Sequence, residues 1–256
     1  MAYFERLDEA TFRPTEHVGG GWDPDEQHVA PALGLLAHAV EVDQRGRRDH
    51  ELQLARLSYD ILGALPIAPV RITVEVLRPG RTIELVHATL SHAGRPAVVL
   101  RAWLLRSYDT ADQAGGALPT IPGPDDTPPW DPASIWPGGF VRSVEARRYQ
   151  ERPGRAVSWV RPTMPLVHDE QVSATARVLG VIDIANGMTP RTPTTDVAFP
   201  NVDLTAHLLA TPCGEWTGLD TTVAFGPTGL GLTHTTIHDT SGLIGVLTQA
   251  LTVRPG

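Results

Sequence analysis

A carboxylate and an imidazole stand five residues apart near the start of the chain, at Asp23 and His28. Such a pair can exchange protons near neutral pH, which makes the segment a candidate for general acid–base chemistry. His234 and His238 are four residues apart, but a strand pattern surrounds them, and no His-Glu-x-x-His helix accompanies them. We therefore expect no metal site there. Cys213, in a Pro-Cys-Gly turn without a catalytic motif, is interpreted as a turn residue.

Several enzyme classes are disfavoured because their motifs are missing. The sequence contains no Gly-x-Ser-x-Gly nucleophile elbow. The glycines of FGPTGLGL have the wrong spacing for a dinucleotide fingerprint and lie between two strand patterns. We expect neither a metal nor another cofactor.

The composition is that of an acidic globular protein, with 256 residues and a net charge of −8 at pH 7. Lys and Arg are scattered along the chain, so no strongly basic face for nucleic acid is expected. A lone cysteine cannot form an intrachain disulfide, and the N-terminal residues do not resemble a signal peptide. No apolar run is long enough to span a membrane. These features predict a cytoplasmic protein.

A segment rich in Pro, Gly and Asp divides the chain into halves of similar length. This segment, residues 107–139, shows neither a helix nor a strand period and is interpreted as a linker. The flanking units, residues 1–106 and 140–256, contain the same succession of patterns. Each is expected to open with an apolar helix, over residues 28–42 and 171–186. Alternating, β-branched runs follow each helix and predict about four antiparallel strands per half.

The two halves can be aligned along their strand patterns. Leu57 corresponds to Leu204 at an offset of 204 − 57 = 147, while Ala102 corresponds to Ala250 at an offset of 250 − 102 = 148. One inserted residue would explain the difference. An apolar helix followed by long antiparallel strands can bury its surface only if the sheet wraps around it, which predicts an α+β unit present twice.

Longer stretches of the sequence resemble a known family. They are GGGWDPDEQHVAPALGLLAHAVE, RPGRTIELVHATLSHAGRPAVVLRAWLL, SWVRPTMPLVHDE, FPNVDLTAHLLATPCGEWTGLDTT and GLGLTHTTIHDTSGLIGVLTQALTVRP. In this order and spacing they resemble the double hotdog acyl-CoA thioesterases, in particular bacterial proteins related to acyl-CoA thioesterase II. The resemblance covers most of the chain outside the linker. It implies two tandem α+β hotdog units and hydrolysis of acyl-CoA or acyl-carrier thioesters.

The resemblance also implies which residues carry the reaction. In such thioesterases a carboxylate, a Gln and a Ser or Thr hydroxyl on neighbouring strands hold a water against the thioester carbonyl. These roles transfer to Asp203 as general base, to Gln249 as the amide that orients the water, and to Thr221 or Thr222 as the hydroxyl. Successive strand residues face opposite ways, so only one of the two threonines can reach the site.

Comparison of the halves predicts one working site. On the offsets given, Asp203 corresponds to Arg56 and Gln249 to Arg101, so cations replace both polar groups in the first half. The second half is therefore expected to carry the reaction.

An oxyanion on the thioester carbonyl requires hydrogen-bond donors, which a helix N-terminus can supply. The two predicted helices offer two sets of candidates, His28 and Val29 or Gln171 and Val172. The sequence does not decide between them.

Asp183 and Asn186, near the end of the second predicted helix, also match the family pattern. They are interpreted as structural, because a helix end needs polar groups for its last carbonyls.

Two other functions stay open. Asp23 and His28 have the separation found in hotdog hydratases, although the residues between them depart from that motif. An enoyl-thioester hydratase or dehydratase is therefore the alternative enzyme, and a non-catalytic acyl-thioester-binding protein is the alternative without chemistry. The expected partners are an acyl thioester and further copies of this chain.

Overall fold

The computed structural model describes residues 1–50, 52–117 and 119–256, and one large antiparallel sheet dominates this part of the chain. The strands are β1 (Phe4–Arg6), β2 (Thr11–Pro14), β3 (Leu52–Ile61), β4 (Val70–Arg78), β5 (Ile83–His92), β6 (Arg95–Arg106), β7 (Pro129–Trp130), β8 (Val144–Arg152), β9 (Arg155–Pro162), β10 (Val197–Ala198), β11 (Asp203–Leu208), β12 (Thr217–Phe225), β13 (Leu230–Asp239), β14 (Gly242–Thr252) and β15 (Arg254–Pro255). The helices are α1 (Val29–Arg47), α2 (Gly139–Arg142), α3 (Ala174–Leu179) and α4 (Ala185–Met188).

The main sheet has 13 strands in the order β1-β2-β4-β5-β6-β3-β11-β14-β13-β12-β9-β8-β7. Strands of the first half occupy one side and strands of the second half the other. They meet where β3 pairs with β11, in antiparallel register from Asp203 opposite Asp60 to His207 opposite Arg56. The two halves therefore join edge to edge. Such pairing removes two exposed sheet edges inside one chain.

The junction reveals a pseudo-twofold relation between the halves. Ser58 on β3 pairs with Thr205 on β11, and their hydroxyl oxygens are 3.0 Å apart. The predicted offset of 147 makes these two residues equivalents of one another, because 58 + 147 = 205. A residue that pairs with its own equivalent lies on the axis, so the offset is confirmed here.

The offset of 148 for the last strand is wrong. Ala97 bulges between β5 and β6, and Ile244 bulges between β13 and β14, at an offset of 244 − 97 = 147. The equivalent of Gln249 is therefore Ala102, and not the exposed Arg101. Side chains alternate between the faces of a strand, so a one-residue error exchanges a core position for a surface position.

Helix α1 is the central helix of the first half. Leu33, Leu36 and Val40 are fully buried, and the helix packs against β4, β5 and α3. The predicted helix over residues 28–42 is confirmed and continues to Arg47. Strands β1 and β2 precede it, and β8 and β9 precede the helical segment of the second half, so the prediction that each half opens with a helix is wrong.

The second predicted helix, residues 171–186, is broken into short pieces. Helix α3 begins after the N-cap Ser173 and ends at Leu179, with Gly180 as its C-cap. A 3-10 turn then covers residues 182–184, and α4 follows. Glycine and the β-branched residues after it have low helix propensity, which explains the break. None of the helices among the described residues has the length and apolarity needed to cross a membrane.

Close contact between α1 and α3 depends on Gly34. A Cβ atom at this position would lie 2.7 Å from Ala176 O and from the Cα of Gly180. Gly34→Ala is therefore expected to lower the free energy of unfolding by about 1–3 kcal/mol. Gly46, on the same helix, has nothing within 4 Å of its Cβ position.

Gly46→Ala is the matched control for this prediction and is expected to raise the free energy of unfolding by about 0.5–1 kcal/mol, because Ala has the higher helix propensity. Urea denaturation measures both effects. Equal effects of the two substitutions would contradict the backbone contact at Gly34.

The segment interpreted as a linker packs onto the second half. Its residues Pro129–Trp130 form β7, which pairs with β8 at the end of the sheet. Trp136 is buried, and its indole N–H donates to Gly187 O at 2.8 Å. The segment therefore contributes structure in addition to joining the halves.

Candidate active site

A cavity of about 620 Å³ opens between the two halves at the start of α1. The first half contributes residues 20–23, 26–29 and 61–65 to its wall. The second half contributes Asp183, Asn186 and residues 200–202, among others. A cavity of this size between two structural units is a typical place for a small-molecule site.

Three polar side chains of the second half meet at this cavity. Asp183 Oδ1 accepts a hydrogen bond from Asn201 Nδ2 at 2.7 Å and another from Gln249 Nε2 at 3.0 Å. Asp183 and Asn201 line the cavity, while Gln249, with no exposed surface, lies behind Asp183. The 3-10 turn before α4, the segment before β11 and strand β14 thus bring together residues far apart in sequence.

The carboxylate of Asp183 is held in an asymmetric way. Both donors, the amides of Asn201 and Gln249, bind Oδ1, and Oδ2 receives no hydrogen bond from the described residues. Burial raises the pKa of Asp183 to about 6, and the two amide donors oppose part of that rise. A carboxyl group with its pKa near 6 is mostly ionised at pH 7 and can still take up a proton, as a general base must.

The start of α1 faces the same cavity. His28 is its N-cap, and its Nδ1 accepts the Ala30 N–H at 3.1 Å. Burial lowers the pKa of His28 to about 4, so the ring is neutral at pH 7 and carries its proton on Nε2. Val29 is the first helical residue, so its N–H has no acceptor inside the helix. The positive end of the helix dipole adds to these donors.

The structure separates the two candidate oxyanion sites. His28 and Val29 share the cavity with Asp183. Gln171 and Val172 instead line a second cavity of about 620 Å³, whose wall does not include Asp183. Gln171 and Val172 also precede the N-cap Ser173 of α3, so only His28 and Val29 combine a helix start with the cavity of the buried carboxylate.

Asp203 lies outside this constellation. Its Oδ1 accepts the Ala250 N–H at 2.6 Å, and its carbonyl accepts from Asn201 Nδ2 at 3.1 Å. The resemblance implied that Asp203 and Gln249 hold one water together, but the structure does not bring the Asp203 carboxylate into contact with Gln249. Asp203 instead ties the start of β11 to β14 and holds Asn201 in place.

The two threonines also lie elsewhere. Thr221 is buried on the core face of β12, and its hydroxyl pairs with that of Thr235 at 2.9 Å. Thr222 is exposed on the other face. Neither lines the cavity that contains Asp183.

The pair Asp23 and His28 does not form an acid–base unit. Both residues line the cavity, but Asp23 Oδ1 accepts the Asp25 N–H at 3.0 Å and is not bonded to the imidazole. Asp23 and Asp25 are exposed, as the charged character of this segment predicts.

The remaining candidates from the sequence show no reactive arrangement. His238 Nε2 lies 3.0 Å from the hydroxyl of Thr236, and His234 is exposed. Cys213 is exposed and its backbone N–H donates to Asp239. Within residues 1–50, 52–117 and 119–256, no three His, Cys, Asp or Glu side chains are placed to hold a metal ion together.

The structure places Asp183 beside Asn201 at the cavity, and the sequence pattern had indicated neither this contact nor Asn201. A carboxylate accepts hydrogen bonds and cannot satisfy carbonyl groups, so Asp183 could not have served a helix end as expected. Asn186 Oδ1 accepts the N–H of Gly187, and this bond does not provide a donor to the last carbonyl groups of the helix. A usable signal was present, because an Asp inside the apolar run GVIDIA must be buried, and buried carboxylates are rarely without function or a partner.

Known structures share this architecture. A conserved protein with a hotdog fold from Alicyclobacillus acidocaldarius has a TM-score of 0.76 at 13% identity, over 97% of this chain and 95% of that one. An acyl-CoA thioesterase II from Mycobacterium marinum has a TM-score of 0.67 at 15% identity, over 99% and 95%. The tesB protein of Mycobacterium avium subsp. paratuberculosis has a TM-score of 0.67 at 17% identity, over 98% and 96%. At these identities the likeness shows the fold, which is a hotdog fold.

Comparison with protein-family models identifies the family of the chain as well as its fold. None of the curated proteins shows a significant match to the chain. The family model of the acyl-CoA thioesterase N-terminal domain matches residues 18–105, and the model of the acyl-CoA thioesterase C-terminal domain matches residues 116–253. The two matches follow one another along the chain in the order of their names and take in both sides of the cavity. The chain therefore belongs to the acyl-CoA thioesterase family.

Proposed function

We propose that this protein hydrolyses acyl thioesters of CoA or of an acyl carrier at one site, with Asp183 as the general base. The observation that carries the proposal is the environment of that carboxylate. Asp183 is only 3% exposed, its Oδ1 is held by two amide donors, and it borders a cavity that also contains the start of α1. In this proposal the chain is a double hotdog, with each half supplying one wall of the site.

The reaction follows from these positions. Water attacks the thioester carbonyl carbon while Asp183 Oδ2, which accepts no hydrogen bond from the described residues, takes up a proton from that water. The carbonyl oxygen becomes an oxyanion, which the Val29 N–H and the positive end of α1 stabilise, and the His28 Nε2–H is a further donor at the same wall. When the C–S bond breaks, the protonated side chain of Asp183 returns the proton to the leaving thiolate.

Asn201 and Gln249 have different parts in this scheme. Asn201 borders the cavity and holds both Asp183 Oδ1 and the carbonyl of Asp203. Gln249 lies behind the carboxylate and acts as a positioning residue, in place of the direct contact with water implied by the family resemblance. Both amides favour the ionised form of Asp183 and so keep its pKa low enough for a base at neutral pH.

The pseudo-twofold relation supports a single site. The equivalent of Gln249 in the first half is Ala102, which is fully buried. The corresponding stretch of α1 contains Leu35, Leu36 and Ala37, all buried and apolar. The first half therefore has no counterpart of the carboxylate and its amide, and it contributes the helix N-terminus instead.

Hydration of an enoyl thioester is less well supported. That reaction needs an acid and a base near the C2–C3 bond, whereas Asp23 is exposed and bonded to its own turn. Asp183 supplies a buried base beside a helix start, which suits attack of water on a carbonyl.

Free-thiol release over a panel of acyl-CoAs tests the proposal. We expect thiol release from saturated acyl-CoAs, and with crotonyl-CoA we expect thiol release without prior loss of the enoyl absorbance. Loss of the enoyl absorbance without thiol release would favour a hydratase. Saturable binding without turnover of any acyl-CoA would favour a binding protein, and either result would overturn the proposal.

A further inference from the structure

The cavity at Asp183 continues into a small annex with aromatic walls. The annex measures about 30 Å³ and shares Gly21, Trp22, His28 and Asn186 with the main cavity. Its remaining wall consists of residues that are buried or lack a side chain, namely Trp136, Val141, Ile184, Gly187 and Phe199. The annex is therefore the enclosed end of the space in which the reaction is proposed to occur.

Trp136 is held rigidly in this wall. Its indole N–H donates to Gly187 O at 2.8 Å, and the ring lies in edge contact with Trp22 and Phe199. Glycines flank it on two sides, since a Cβ on Gly21 would lie 3.2 Å from the ring and one on Gly187 3.3 Å from Nε1. Packing of this kind leaves the ring little freedom to move aside for a ligand.

The size of the annex limits what can enter it. A volume of about 30 Å³ accommodates roughly two or three heavy atoms, whereas benzene requires a cavity of about 150 Å³. The walls are apolar and aromatic apart from His28 and Asn186, so a short hydrocarbon end fits better than a charged group.

The annex adjoins the part of the main cavity that Asp183 and Asn186 line. Ile184 follows Asp183 directly in the chain, and Asn186 lies three residues after it. An acyl group whose carbonyl carbon is attacked at Asp183 can therefore extend into the annex. The wide mouth of the cavity, beside the exposed Leu62 and Val202, leaves room for the thiol part of the substrate.

We propose that the Trp136 annex restricts this thioesterase to short acyl groups of about two to four carbons. This inference rests on the proposed function, because it assumes that the carbonyl binds at Asp183. Trp136, from the segment that joins the two halves, is then the residue that sets the length limit.

The test measures kcat/KM for straight-chain acyl-CoAs from acetyl to dodecanoyl. For the wild-type protein we expect butyryl-CoA to exceed decanoyl-CoA by at least about tenfold. Trp136→Leu removes the end wall of the annex and should raise the ratio of kcat/KM for decanoyl-CoA to kcat/KM for butyryl-CoA at least about tenfold. Val141→Ala, a smaller change on another wall of the annex, should raise the same ratio about threefold and serves if the Trp136 variant does not fold.

Trp130→Leu is the matched control. Trp130 belongs to the same segment and is half-buried, but it stacks on Arg148 and lines neither the cavity nor the annex. Its replacement should leave the ratio unchanged. Because the readout is a ratio between two substrates, a general loss of active protein does not alter it.

The outcomes separate the two proposals. Hydrolysis of decanoyl-CoA as fast as butyryl-CoA by the wild-type protein, or an unchanged ratio in a folded Trp136→Leu or Val141→Ala variant, would overturn the length limit and leave thioester hydrolysis standing. No hydrolysis of any chain length would instead overturn the proposed function, and the length limit with it.

Discussion

Asp183→Asn is expected to lower kcat for acyl-CoA hydrolysis by at least about 100-fold. The substitution preserves the shape of the side chain and one oxygen that can accept from Asn201 and Gln249, but an amide cannot take up a proton from water. General bases typically contribute about 10²–10⁴-fold to a rate, so the loss should fall in this range. Free-thiol release at saturating substrate measures it.

Asp203→Asn provides a chemically identical control 20 residues along the chain. The carboxylate of Asp203 accepts the Ala250 N–H, which an Asn oxygen can also accept. We expect kcat to stay within about threefold of the wild-type value. If Asp203→Asn removed activity and Asp183→Asn did not, the assignment of the base would be wrong.

The Asp183 variant should also be more stable than the wild-type protein at neutral pH. Burial raises the pKa of Asp183 from its ordinary value of 3.8 to about 6, so the folded state holds the proton more tightly than the unfolded chain. This difference lowers the free energy of unfolding of the wild-type protein. The loss is absent below pH 3.8, grows as the pH rises towards 6, and is constant above that. The shift corresponds to about 3 kcal/mol.

Urea unfolding at pH 7 measures this gain, for which we expect about 1–3 kcal/mol in favour of Asp183→Asn. Activity lost together with stability gained excludes unfolding as the cause of inactivity. A clearly destabilised Asp183→Asn variant would contradict a buried, ionised carboxylate at this position.

The strand patterns of the sequence predicted most of the sheet, because long alternating runs are a strong local signal. The runs interpreted as strands correspond to β3–β6 and β11–β14. Strands β1 and β2 have only three and four residues, and polar residues predominate in β8, so these strands lack a clear alternation; neither they nor β9 was predicted. Their place in the sheet depends on partners distant in the chain.

The candidate site was harder to predict because it depends on contacts between distant segments. Asp183, Asn201 and Gln249 are separated by 18 and 48 residues, since 201 − 183 = 18 and 249 − 201 = 48. The apolar run around Asp183 indicates burial, but nothing in the local sequence shows which of Asp183 and Asp203 borders the cavity. Only the fold shows that the first carboxylate enters the cavity while the second binds a backbone N–H.

Replacing Gln249 with Met should lower kcat/KM at pH 7 by at least about tenfold. Met keeps the approximate length of the side chain and its burial, but it cannot donate to Asp183 Oδ1. The carboxylate then loses one of the two bonds that orient it and favour its ionised form. Its pKa should rise above the wild-type value of about 6.

The pH dependence of kcat/KM tests this account most directly, because it reports the ionisation of the free enzyme's essential base. For the wild-type protein we expect kcat/KM to fall as the pH drops through about 6, where Asp183 becomes protonated. In Gln249→Met this acidic limb should move to higher pH, and in Asp203→Asn it should not move. An acidic limb that stays in place in Gln249→Met, or that shifts equally in Asp203→Asn, would contradict Asp183 as the base.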